Sequence, residues 1–388
     1  MRSGVFNFLA QDRVHFGVRA AEGIGAEVAQ RGTKRLFVVT SRSLNRNTAA
    51  VAEALAPVQD RVVGLFDECV EHTPRDTVIA LTQRLRETRC DLIVSIGGGT
   101  VIDTVKVALV CLAEGVDNVD AMGAWHMRVN PDGTRVTPQP RLPPCRQIAV
   151  PTTLSGAEFS DLGGCTDTRN GTKQGYTGSH VGAAAVILDP RITLHTPQRL
   201  WLSTGVRALD HAVESLCSIN AQPLVDATSV RALALLGRAL TRYATDPQDL
   251  DARLDAQMGA WLASMGIRRT EYGASHGLGH ALGADSGVPH GITSCVLLPT
   301  VMRYNGEACA TQLAEVAAAL GDARRPAADQ IEALIARLGL PTRIGQLGIE
   351  RSRLPILADK GMAIPWVRTN PRKIERVEQL VEILEAAW

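Results

Sequence analysis

The chain has little of what several functional classes require. Aromatic side chains make up only 4% of its 388 residues, too few for the stacking platforms that hold single-stranded nucleic acids. An excess of either charge is missing too. Lys and Arg number 41 against 40 Asp and Glu, for a formal net charge of +1, which gives no electrostatic case for nucleic acid or an anionic membrane. The eight cysteines (Cys69, Cys90, Cys111, Cys145, Cys165, Cys217, Cys295 and Cys309) form no CxxC pair. Zinc-ribbon and thioredoxin-like readings therefore fail, and reduced structural thiols are expected. No apolar run approaches the ~20 residues of a membrane span, and the opening MRSGVFNFLAQDRV lacks a signal-peptide core. The expectation is a cytoplasmic globular protein of two domains, at about 150 residues per domain.

What is present is an alternation. RLFVVT (35–40), VVGLF (62–66) and DLIVSI (91–96) are short buried-strand runs separated by the helical patterns NTAAVAEALA and TVIALTQRLRE. That rhythm predicts a parallel sheet covered by helices, with later strands at RQIAV (146–150) and AAAVILD (183–189). The polar, Gly- and Pro-rich stretch at 129–144 reads as a loop or hairpin. After Pro190 apolar residues recur every three or four positions through VRALDHAVESLCS, ATSVRALALLGRALTRYA, AADQIEALIARLG and others. The expected organisation is an α/β domain over 1–190 and an all-α domain over 191–388.

In DLIVSIGGGTVIDTVKVAL a strand, a glycine loop and a helix follow one another. Gly97, Gly98 and Gly99 let backbone approach a bulky anion, and the helix N-terminus offers N–H groups and a positive dipole to a phosphate. Thr100 is expected to cap that helix, with Asp103 completing a T-x-x-D arrangement. The bland alternative is a tight turn without a ligand. PTTLSGAE (151–158) again follows a strand, and Thr152 and Thr153 are candidate cofactor contacts. The first strand ends in Ser41-Arg42 rather than in the acidic residue that binds the ribose of NAD, so NADP is as admissible as NAD.

Three of the nine histidines, His276, His280 and His290, lie within fifteen residues. Upstream, GVRALDHAVE carries Arg207 and His211 four residues apart, on one helix face. Imidazoles gathered in this way serve a metal, with iron and zinc both suitable, or a reacting carbonyl.

These motifs together, GGGTVIDTVK, PTTLSGAE, GVRALDHAVE, HGLGHALG, PHGITSCVLLPTVMRYN and the NPR at 370–372, make the chain resemble the iron-containing (group III) alcohol dehydrogenase superfamily over nearly its full length. The resemblance implies a dinucleotide-binding α/β domain, a helical domain, NADH or NADPH as cofactor, and a homodimer. The dehydroquinate synthase-like architecture is shared with lyases, but their ligand set finds no match here. The implied metal ligands, an Asp and three histidines, fall on Arg207, His211, His276 and His290, and a further active-site histidine falls on His280.

Arg207 breaks the pattern. A guanidinium has no lone pair to offer and stays protonated. It repels a cation by about 4 kcal/mol per unit charge at ~4 Å and an effective dielectric of ~20. Asp210, three helix positions on and about one turn from Arg207, is a candidate substitute ligand. The maleylacetate reductase branch resembles this chain most, including GGCTDTRNGTKQGYTGS (163–179), although it has a His-His pair where this chain has Ser275-His276. The resemblance implies reduction of a carboxylate-bearing oxo or enoyl substrate without catalytic metal. Arg207, His211, His276, His280 and His290 would be the catalytic residues, and Ser41, Gly97, Gly98, Gly99, Thr100, Asp103, Thr152, Thr153 and Lys173 the cofactor contacts. The alternative is an alcohol dehydrogenase holding Fe²⁺ or Zn²⁺ on His211, His276 and His290.

Overall fold

The computed structural model describes residues 4–129 and 134–388. The chain divides into two compact units, one spanning Phe8–Thr153 and Ala157–Thr196, the other Pro197–Trp388 with Leu154–Gly156 and the N-terminal segment ending at Asn7.

The first unit is built on strands β1 (Arg13–Phe16), β2 (Leu36–Thr40), β3 (Val62–Phe66), β4 (Leu92–Gly97), β7 (Arg146–Pro151) and β10 (Ala183–Leu188). Two antiparallel pairs, β5 (Arg128–Val129) with β6 (Arg135–Val136) and β8 (Leu162–Asp167) with β9 (Thr172–Thr177), stand outside that sheet. Of the 129–144 stretch, Val129 and Arg135–Val136 belong to the β5–β6 pair, and residues 130–133 lie outside the described residues. Helices α1 (Ala20–Arg31), α2 (Arg42–Asn47), α3 (Ala50–Leu55), α4 (Arg75–Thr88) and α5 (Gly99–Glu114) connect the strands.

The six-stranded sheet has the order β1-β10-β7-β4-β2-β3, and its strands all pair in parallel. Strands β2, β4 and β10 are buried along their whole length, as expected of a parallel sheet covered on both faces. Alternation sorts their side chains. Phe37, Val39 and Ile93 join one core, and Leu36, Val38, Leu92, Val94 and Ile96 the other. From β2 the chain steps to β3 on one side, then crosses to β4 on the other. The carboxyl ends of β2 and β4 therefore flank a topological switch point, the usual ligand crevice of such sheets.

The second unit is helical throughout its described residues: α6 (Gln198–Leu216), α7 (Pro223–Thr245), α8 (Leu250–Ala263), α9 (Ala274–Ser286), α10 (His290–Tyr304), α11 (Ala310–Leu320), α12 (Ala327–Arg337), α13 (Leu354–Met362), α14 (Pro365–Arg368) and α15 (Val377–Ala387), with short 3₁₀ turns. Helix α6 is central, its residues buried without interruption from Gly205 to Leu216. Within GADSGVPHG only residues 287–289 separate two helices. Helix α9 continues through Ser286 and stops at Gly287, whose φ of 66° is left-handed. His290 is then the first residue of α10.

Candidate active site

At the carboxyl edge of the sheet, Gly97 still pairs with Pro151 of β7 and α5 begins at Gly99, with Gly98 as its N-cap. Gly98 has an ordinary φ; space is what demands glycine there. A Cβ at Gly98 would lie 2.9 Å from Thr153 Cγ2, and one at Gly97 2.6 Å from Val101 Cγ2.

The helix opens two residues earlier than a Thr100 cap requires, because Gly98 takes the cap position and no side chain caps it. This corrects the T-x-x-D expectation. Thr100 sits in the first turn, where its carbonyl accepts from the Thr104 hydroxyl at 2.7 Å. Asp103 turns to the β8–β9 hairpin and accepts from Gly164 N–H and Lys106 Nζ, each at 3.0 Å. The N–H groups of Val101 and Ile102 fold back on the Gly98 carbonyl. Those of Gly99 and Thr100 lead the helix, the arrangement that suits an anion.

Ser41 caps α2 by accepting from Leu44 N–H at 3.3 Å. It follows Thr40, the register partner of Ile96, so it shares the sheet edge with the glycine turn. Thr152 and Thr153 are buried beyond β7, and the backbone of Thr152 bridges Gly97 O and the Thr196 hydroxyl. Lys173 is exposed on β9. Its Cε and Asp103 Oδ2 both overhang Gly164, at 3.3 and 3.5 Å from where a Cβ would stand.

Sequence reasoning passed over two acidic groups here. Asp67 accepts from Asn45 Nδ2 at 3.0 Å and Arg46 Nε at 2.9 Å, and the Arg46 guanidinium holds it below the ordinary carboxylate range. Glu158, 2% exposed, has an Oε2 with no hydrogen-bond partner among the described residues, and burial pushes its pKa up to about 7.

On the helical unit, Arg207, Asp210, His211 and Glu214 follow the i, i+3, i+4, i+7 spacing of one helix face. All four are buried. Asp210 Oδ2 accepts from Ser294 Oγ at 2.6 Å, Ser275 Oγ at 3.0 Å and Arg207 Nη1 at 3.4 Å. Arg207 Nη1 also donates to Ser294 Oγ at 3.1 Å. Both bonds of Arg207 thus leave from one nitrogen; Nε and Nη2 make none among the described residues. Glu214 receives the start of α9. It accepts from the N–H groups of Gly273, Ser275 and His276 at 3.0, 2.9 and 3.2 Å, and lies 2.7 Å from His276 Nδ1.

The histidines fall into two stacks. His211 and His276 have ring centroids 5.1 Å apart, with Tyr272 3.9 Å from His276. His280 and His290 stack at 4.8 Å. Trp366 meets both stacks edge-on, 6.0 Å from His276 and 4.8 Å from His280. Burial, reinforced by the Arg207 charge, lowers the pKa of His211 and His276 well below the usual imidazole value and keeps both rings neutral. Burial pushes Asp210 the other way, to about 7, with the Glu214 charge adding to the rise, and it pushes Glu214 up against the pull of the α9 N–H groups and Arg207.

Two family models match. One is described as the Fe-containing alcohol dehydrogenase family, C-terminal, over residues 201–388, the other as iron-containing alcohol dehydrogenase over residues 11–190. The chain belongs to the iron-containing alcohol dehydrogenase family. It is therefore an oxidoreductase of that family. It is 34% identical to Dehydrogenase FUM7 of Gibberella moniliformis, over 91% of this chain and 90% of that protein. It is 30% identical to a maleylacetate reductase of Burkholderia cepacia, over 97% of this chain and 95% of the relative. The crystal structure of maleylacetate reductase from Rhizobium sp. strain MTP-10005 matches with a TM-score of 0.82 at 28% identity, covering 100% of this chain and 99% of that one. Among the described residues, no helix is long and apolar enough to cross a membrane.

The family name implies a metal, and the donor set can be tested for one. One buried atom on each of Asp210, His211 and His276 has no hydrogen-bond partner among the described residues: Asp210 Oδ1, His211 Nδ1 and His276 Nε2. As a set they do not lie within 4.8 Å of one another. The grouping whose donor atoms lie within 4.8 Å of one another is Asp210, Glu214 and His276. Within it the Glu214 oxygens are filled by α9 N–H groups, and a guanidinium nitrogen stands 3.4 Å from Asp210. An ion there would meet that positive charge and deprive the start of α9 of its acceptor. The residues present do not fit a metal ion.

Proposed function

We propose that this protein is a nicotinamide-dependent reductase of a small carboxylate-bearing oxo or enoyl compound, with Arg207 as the fixed cation of its site. The observation that carries the reading is the commitment of Arg207 through a single nitrogen. The rest of its planar fork is left to engage a substrate carboxylate in bidentate fashion or to polarise a carbonyl oxygen. The maleylacetate reductase relatives support an acidic substrate of this kind.

NADH or NADPH fits the sheet unit, since the cradle at Gly98 is one that a Cβ would fill and the start of α5 has no capping side chain. Ser41, Gly97, Gly98, Gly99, Thr100, Thr152, Thr153 and Lys173 would line that cofactor, with Asp103 acting through the hairpin that it ties down. When bound, the nicotinamide supplies hydride to the electrophilic carbon. Arg207 orients the substrate, His280 or His211 supplies the proton, and His276 and His290 complete the polar wall.

The test is a scan of NADH and NADPH oxidation over oxo acids and matched neutral aldehydes, with metal analysis of the same preparation. Turnover of the acids is expected to survive chelators. Arg207→Lys keeps the charge that balances Asp210 and Glu214 but loses the fork, so it should fold normally. Its kcat/KM on acids should fall about 100-fold, on the scale of one lost transition-state donor. Stoichiometric iron or zinc whose removal abolishes turnover, or full activity in Arg207→Lys, would overturn the reading.

A further inference from the structure

We propose that Glu214 is a positioning residue that holds His276 as the Nδ1–H tautomer, leaving the lone pair on Nε2. This rests on the reading above only for the use made of that lone pair; the tautomer stands on geometry.

Glu214 meets four donors. Its Oε2 accepts from Gly273 N–H at 3.0 Å and His276 N–H at 3.2 Å, and lies 2.7 Å from His276 Nδ1; its Oε1 accepts from Ser275 N–H at 2.9 Å. The one remaining N–H of the turn, that of Ala274, goes instead to Asn370 Oδ1 at 3.0 Å. Asn370 is itself locked to Asn305 by bonds of 3.1 and 2.7 Å. The opening of α9 is thus capped by two side chains from elsewhere in the unit. Gly273 admits both, because a Cβ there would stand 2.8 Å from Asn370 Oδ1 and 3.0 Å from Glu214 Oε1.

This crowding decides where the hydrogen lies. As a carboxylate Glu214 has about four lone-pair sites for these four donors, whereas a proton on Oε2 would leave that oxygen a single lone pair for two backbone N–H groups. The hydrogen of the Glu214–His276 contact therefore sits on Nδ1. In a neutral imidazole Nε2 is then the acceptor. Nε2 is buried and has no hydrogen-bond partner among the described residues.

Asp210 cannot substitute for Glu214, because its Oδ2 is engaged by Ser294, Ser275 and Arg207 and its Oδ1 is 3.6 Å from Nδ1. The arrangement is that of a carboxylate orienting a histidine whose far nitrogen accepts from the hydroxyl that reduction forms, directly or through one water, once His280 or His211 has supplied its proton.

The experiment uses the full chain labelled with ¹⁵N-histidine. Long-range ¹H–¹⁵N correlation at pH 8 reads the tautomer of each ring, and His276 is assigned by the signal lost in His276→Gln. The wild type should show His276 as Nδ1–H. In Glu214→Gln an amide oxygen remains for backbone N–H groups but the negative charge is gone. The Nδ1–H form should become a minority, and kcat should fall roughly 100-fold or more with KM little changed, as when a catalytic histidine loses its orienting carboxylate.

Asn370→Ala weakens the same helix terminus without touching the ring. It should lower Tm and leave the tautomer intact, which separates positioning from capping. A wild-type His276 in the Nε2–H form overturns the proposal even if Glu214→Gln fails to fold, and so does an unaltered kcat in a folded Glu214→Gln. Lack of oxo-acid turnover together with the Nδ1–H form would overturn the functional reading and leave the positioning role standing.

Discussion

Both units bury a cation beside a carboxylate, and Lys106 and Arg207 employ theirs differently. In the α/β unit Lys106, 1% exposed, donates to Asp103 Oδ1 at 3.0 Å and to the Leu162 carbonyl at 2.8 Å. It ties α5 to the β8–β9 hairpin, and its charge also acts on buried Glu158. In the helical unit Arg207, 8% exposed, is anchored through Nη1 alone. The tie takes two of the three ammonium donors, whereas the guanidinium is held through one of its three nitrogens and keeps Nε and Nη2 in hand. Burial of a charge is thus no sign of a site by itself; donors left over after internal pairing are.

Replacing the tied cation should break the comparison most visibly. Lys106→Met leaves Asp103 without its ammonium and severs the link to Leu162. Removing one partner of a buried pair costs about 3–5 kcal/mol, and the part-exposed Asp103 puts this variant at the low end. Urea denaturation should show that loss while kcat of the folded protein falls far less. Arg207→Lys should give the reverse, with stability kept and turnover lost. If the two variants behaved alike, the distinction between a structural cation and a substrate-facing one would fail.

The same contrast bears on pH. Glu158 is raised from 4.5 to about 7 chiefly by burial, against the opposing pull of Lys106. Between those values the folded protein holds a proton that the unfolded chain releases. Its contribution to stability is full below about pH 4.5 and is lost as pH rises through about 7, by up to about 3 kcal/mol. Glu158→Gln should flatten that decline, seen as a smaller difference between unfolding free energies at pH 5 and pH 8. An equal decline in wild type and variant would show that Glu158 is ionised in the fold and that Lys106 serves it as a counterion.

How much of this was legible in sequence depended on locality. The strands of the sheet interior read directly, because LFVVT and AAAVIL are continuous apolar runs. Strand β1, RVHF, was missed: it lies at the edge, partly exposed, with charge interrupting it. Helix α10 was missed for the opposite reason. Its apolar residues are buried on all sides and Pro299 lies inside it, so no 3.6-residue stripe remains.

At the site, the face shared by Arg207, Asp210, His211 and Glu214 was readable as i, i+3, i+4, i+7, and that spacing was the signal that could have found Glu214. The partners of Glu214 were not readable. They are N–H groups about sixty residues on, and no local rule joins a carboxylate to a distant helix terminus. The same holds for Tyr272 and Trp366, which reach the histidines only through tertiary packing.

The smallest change sharpens the other half of the comparison, the backbone at the head of α5 where the cofactor contacts are proposed. Gly98→Ala places a methyl 2.9 Å from Thr153 Cγ2. Thr153 is buried and β-branched, so it turns aside only by shifting backbone at the end of β7. The cost falls on the space facing the start of α5, where the proposed cofactor phosphates would lie. KM for the nicotinamide should rise about 10-fold, equivalent to about 1.4 kcal/mol, with KM for the oxo acid unchanged and Tm lowered only slightly. Gly97→Ala is the control. Its methyl would meet Val101 Cγ2 at 2.6 Å inside the hydrophobic core, so it should cost stability before affinity, about 1–3 kcal/mol for an overpacked core. Were Gly98→Ala to leave cofactor affinity untouched, the glycine turn would be a tight βα connection and nothing more.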